Sequence, residues 1–71
     1  MTAPQAGVVT ARDENRQLVK VLLPLFKTET DWIRCARHVG LPSSGAEVVV
    51  VFMNGQINDG VVIAELEGDA G

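Results

Sequence analysis

The chain has 71 residues, 46% of them hydrophobic, and a formal net charge of -3. A domain this short buries only about 60% of the surface its unfolded chain exposes and usually needs a disulfide, a metal or oligomerisation for stability. The single cysteine, Cys35, excludes an intrachain disulfide and has no second cysteine or histidine cluster with which to build a zinc site.

Residues 1–6 read as a flexible lead-in, 7–67 as one folded unit and 68–71 as a short polar tail. Met1 to Gln5 lacks the basic start and apolar centre of a secretory signal, and no apolar run approaches the roughly 20 residues that cross a bilayer. The expectation is a soluble chain made in the cytoplasm, without stable membrane association. Gly7 to Ala11 reads as a short strand ended by the polar turn Arg12-Asp13-Glu14-Asn15. Gln17 to Leu23 reads as a second strand, with Val19, Val21 and Leu23 on one face and Leu18, Lys20 and Leu22 on the other. Pro24 has no amide hydrogen for a ladder and stops the pairing there or confines it to an edge.

Leu25 to Thr30 reads as a loop. Asp31 to Arg37 reads as a third strand with Trp32 plugging the core, although Thr28 or Thr30 could instead cap a helix running to His38. Gly40, Pro42, Ser43, Ser44 and Gly45 make the next stretch a loop. The strongest signal follows. Val48-Val49-Val50-Val51-Phe52-Met53 is apolar at both parities, and four β-branched residues in succession favour a pleated strand over a helix. Asn54-Gly55 and Asp59-Gly60 supply hairpin chemistry before a return run, Val61-Val62-Ile63-Ala64. Five short strands, a hairpin at each end and one between, predict an all-β, OB-fold-like Greek-key barrel.

One face of the valine run can fill the barrel; the other points to a partner. Leu18 and Leu22 flank Lys20 where a free-standing barrel would place polar groups. Leu18, Leu22, Val49, Val51 and Met53 are therefore the candidate interface. The alternative for the leucines is cover by the Leu25 to Thr30 loop. Charge is also divided. All six lysines and arginines precede His38, and only Glu47, Asp59, Glu65, Glu67 and Asp69 carry charge beyond it. The division is either chance in a short chain or the mark of a head-to-tail contact between copies.

Catalytic signals are weak. Cys35 and His38 lack an orienting third group at recognisable spacing, no glycine-rich segment fits a phosphate loop, and Glu65 and Glu67 read as a solvated rim. The expectation is no enzyme, no cofactor and no bound metal. Net negative charge and only three aromatic residues, Phe26, Trp32 and Phe52, argue against nucleic-acid binding.

Val19-Lys20-Val21-Leu22-Leu23-Pro24 resembles the V-K-V-x-[FL]-P strand of the OB domain in phage tail central-spike proteins, baseplate assembly protein V and VgrG-type spikes. Asp31 to Ala36 is similar to that family's W-x-R-V-A strand. Leu41-Pro42 through Gly45 to Phe52 resembles its L-P-x-x-G-D-E-V-x-V-x-F segment, Asn54-Gly55 with Val61 to Leu66 its ending, and Gly7 to Thr10 its opening strand. The resemblance implies a homotrimeric OB ring at the hub of a contractile tail or related injection machine, with tail tube or hub proteins and a spike as partners. Family members usually continue into a β-helical needle. This chain stops at Gly71, so the spike or tip is expected to be a separate protein. Leu18 and Leu22 stand where the family often has basic residues, and Asp59-Gly60 where it has arginine-proline. The alternative function is an OB-fold module for single-stranded nucleic acid or sugar.

Overall fold

The structure is a computed structural model and describes residues 3–53 and 59–67. Six strands form in chain order: β1 (Gln5–Asp13), β2 (Leu18–Leu23), β3 (Thr28–Glu29), β4 (Ile33–Cys35), β5 (Glu47–Phe52) and β6 (Gly60–Glu65). Five of them close into a barrel in the order β1-β5-β6-β4-β2, with β2 returning to β1 and β3 added beside β2. All pairings are antiparallel except β4 with β6. This is the all-β OB-type barrel expected from the sequence.

Alternation explains why β2 lies as it does. Val19, Val21 and Leu23 are fully buried, while Leu18 and Lys20 are half-buried and Leu22 is exposed on the other face. β5 behaves likewise: Val48, Val50 and Phe52 enter the core, and Val49 and Val51 are half-buried outside. Val9, Ile33 and Val62 complete the buried cluster. β1 serves two partners. Its first half pairs with β5 and its second with β2, with a register shift between Val9 and Ala11. At this corner the backbones pass so closely that a Cβ on Gly7 would lie 2.7 Å from the Leu22 carbonyl oxygen.

Four local expectations change. The first strand runs Gln5–Asp13 rather than from Gly7 to Ala11, because Gln5 and Ala6 pair with Val50 and Val49 of β5 and Arg12 and Asp13 with Val19 and Leu18 of β2. The segment read as a loop from Leu25 to Thr30 contains β3, because the Pro24–Lys27 turn, with Lys27 at φ 52°, brings Thr28 and Glu29 back against Leu23 and Leu22. The third expected strand shortens to Ile33–Cys35, and no helix forms across Thr28–His38. Trp32 does not plug the core: Ile33 does, at 2% exposure, and Trp32 is half-buried on the outer side. Adjacent strand residues face opposite ways, so only one of the pair can enter the barrel. The Val19–Ile33 register selects the isoleucine. The expected Asn54-Gly55 turn lies outside the described residues.

Thr30 is the buried polar residue that locks β3 in place. The Val21 amide donates to Thr30 Oγ1 at 3.0 Å, and the Thr30 amide donates to the Val21 carbonyl at 2.8 Å. Thr30→Val keeps the shape but orphans the Val21 amide, at a cost of about 1–3 kcal/mol. Thr30→Ser is expected to recover most of that loss. Urea denaturation of the two variants checks it.

Candidate assembly surface

A continuous apolar belt crosses the outside of the barrel. Val49 sits between Ala6 of β1 and Ala64 of β6, and Val51 lies opposite Val61. On β1, Val8 lies opposite Leu22 of β2, which carries the belt to a fourth strand. Leu22 is 40% exposed and Met53 49%. Such a wall arises because β5 and β6 carry unbroken β-branched runs, Val48–Val51 and Val61–Ile63. Strand formation is favoured on both faces, and the core can cover only one of them.

The five sequence-predicted interface residues divide in two. Leu22, Val49 and Val51 share the belt, and Met53 extends it past the end of β5. Leu18 lies elsewhere, four residues or about 13 Å along β2 from Leu22. It faces Asp13 on β1 and Arg34 on β4. The leucines do not lie under the 25–30 segment: Glu29 pairs beside Leu22 and leaves it exposed.

Around Leu18 the surface is basic and aromatic. The Lys20 ammonium stands 5.2 Å from the Trp32 ring centre, and the Arg16 guanidinium carbon 5.7 Å. Both are within cation–π range. The turn after β1 holds Arg16 in position. Asp13 Oδ1 accepts from the Asn15 and Arg16 amides, and Arg16 Nε donates to Asp13 Oδ2 at 2.8 Å. The Arg16 side-chain hydrogen bond, reinforced by the Arg16 backbone bond, holds the Asp13 carboxyl below the usual carboxylate range. A depressed carboxylate pKa stabilises above the unfolded value and stops doing so as pH falls through the folded one, so the clamp is intact at neutral pH. Sequence reading missed this cluster, because it exists only through the β2–β4 register.

Cys35 pairs with Val62 on β6, and His38 lies beside the next residue, Ile63. Cys35 is half-buried, and burial pushes its thiol pKa up, away from the thiolate a nucleophile needs. It lines an open depression with Gln17, Ala36, Arg37 and Gly40. His38 Nε2 is 3.2 Å from the Ile63 carbonyl oxygen, so that ring nitrogen is turned toward backbone. Among the described residues no three His, Cys, Asp or Glu side chains gather as a metal site.

Residues 5–66 match the family model for the injector OB domain of type VI secretion systems and phage baseplates. The chain belongs to that family. Its closed five-stranded mixed barrel is consistent with an OB-fold domain. The injector OB domain is a structural baseplate module, and this supports a baseplate-related, particle-assembled role for the chain. No curated protein matches it. Among the described residues no helix of the injector OB domain is long and apolar enough to cross a membrane.

Proposed function

We propose that this chain is a structural, non-enzymatic hub or central-spike component of a contractile phage tail or related injection system. Three copies form an OB ring that links tail tube and baseplate to the spike or tip. The bacterial cytoplasm makes the chain, and the assembled particle takes it up. The observation that carries this reading is the exposed apolar belt centred on Val49 and Val51, continuous over four strands. Apolar surface removed from water contributes roughly 25 cal/mol per Å². A ring that covers the belt therefore resists opening under axial thrust, because shear would expose it again.

Sedimentation equilibrium of the purified protein tests the reading, with a threefold chain mass as the expected result. Leu18→Lys combined with Leu22→Lys is expected to weaken the trimer while the barrel stays folded, since neither side chain enters the core. An unchanged mass for that variant removes the pair from the interface.

A second reading rests on Trp32 with Lys20 and Arg16. They stand on the β2–β4 wall, which corresponds to the strand 2–3 face that many OB folds use for oligonucleotides or oligosaccharides. Fluorescence polarisation with labelled single-stranded DNA separates the two. The ring reading expects no binding, and salt-sensitive saturation would favour the module.

A further inference from the structure

The apolar belt does not explain why every lysine and arginine precedes His38 while only acidic residues carry charge beyond it, and two places in the fold bear on this. The first is the Trp32 platform. Arg16 and Lys20 hold the only tryptophan on the outer wall, and Leu18 and Arg34 lie beside it across the β2–β4 register. Among the described residues, Lys20 and Arg34 form no ion pair; Arg16 alone in this group is bridged, to Asp13. The second is the acidic end of the β5–β6 hairpin. There the Leu66 amide donates to the Glu47 carbonyl at 2.8 Å and Glu65 pairs with Val48, so Glu47, Glu65 and Glu67 all lie at this end of the two strands. Among the described residues none of these three carboxylates is paired with a cation. Each place therefore carries an excess of one sign of charge, which raises the free energy of the isolated chain.

We infer that in the ring the Trp32 platform of one copy receives the acidic β5–β6 end of the next. The inference rests on the trimeric reading and adds to it the two surfaces that meet. A ring with an odd number of subunits can be built only from heterologous contacts, in which two different patches of the same chain face each other. The two clusters are on different walls, have opposite sign, and are each adjacent to apolar surface: Leu18 and Trp32 on one side, Val49 and Ala64 on the other. Tryptophan and arginine are the side chains that most often anchor interfaces, and opposed charge at a rim fixes register and speeds encounter. One contact thus covers the Val49–Ala64 part of the apolar belt and sets the two opposite charge excesses against each other.

A charge-swap series read by sedimentation tests the inference. Lys20→Glu with Arg34→Glu, and separately Glu47→Lys with Glu65→Lys, are each expected to raise the trimer dissociation constant by about tenfold or more. The chain carrying all four substitutions is expected to return most of the way to wild type. Wild-type association should also weaken between low and high salt. Thermal melts establish that each variant folds, and Lys20→Ala with Arg34→Ala replaces the first pair if it does not. A fourfold variant as weak as either pair, or pairs that assemble like wild type, overturns the inference and leaves the trimer standing. A monomeric wild type removes the ring reading itself, and this contact with it. If the first pair abolishes single-stranded DNA binding without changing mass, the platform belongs to nucleic acid and the inference fails.

Discussion

Gly7→Ala is expected to lower the melting temperature by roughly 5–20 °C, the largest effect of any single methyl addition in this barrel. The new Cβ would lie 2.5 Å from Val21 Cγ1, 2.7 Å from the Leu22 carbonyl oxygen and 3.2 Å from Leu23 Cδ2. A side-chain methyl can rotate away, but the carbonyl is part of the β2 backbone where β1 crosses it. Relief therefore means prising β1 from β2 at the corner that closes the barrel. Overpacking of this kind costs about 1–3 kcal/mol, against a total stability of roughly 4–10 kcal/mol for a domain of this length. Gly60→Ala supplies the control. Its nearest contacts are side-chain atoms at 3.2–3.4 Å from Val50, Phe52 and Ile33, so a shift of a few tenths of an ångström accommodates it. Equal melting temperatures for Gly7→Ala and wild type would show that the corner is looser than this.

Val49→Lys with Val51→Lys is expected to abolish assembly and to leave the fold within about 1 kcal/mol of wild type. The same two substitutions one residue earlier, Val48→Lys with Val50→Lys, should yield no folded protein. The contrast follows from strand parity. Val48 and Val50 are 0% exposed, and a lysine there would carry an unpaired charge into a core of nine apolar side chains. Val49 and Val51 are half-buried on the outside, where a lysine can reach water. Circular dichroism with sedimentation reads both halves of the experiment. If the outer pair still assembles, the belt is not the contact.

The valine run and the alternation of β2 were legible in the sequence because their information is local. Period and residue type suffice to say that Val19, Val21 and Leu23 share a face. What failed depended on partners distant in sequence. Whether Trp32 or Ile33 enters the core is decided by a register with Val19, and a three-residue strand is too short to declare its own phase. β3 was invisible for a related reason. Two residues carry no periodicity, and the turn that returns them uses a lysine at positive φ where glycine would have given the signal. The outer wall shows the same division. Parity alone groups Leu22 with Leu18 and Val49 with Val51 on faces turned away from the core. The separation of Leu18 from the other three, and its company of Arg16, Trp32 and Arg34, came only with the closed barrel.

The connectivity of β1 and β4 also governs how the molecule is born. β1 needs β5 for its first half, and β4 needs β6, so no front portion of the chain can close the barrel by itself. A ribosome must deliver the residues of β6 before the structure shuts. Chains ruled by such distant pairings mature in milliseconds to seconds rather than microseconds. Throughout that interval the newly made Val48–Phe52 segment lies bare and prone to cling to its siblings. The rate of synthesis, as much as the finished shape, then sets how much of this protein survives to be used.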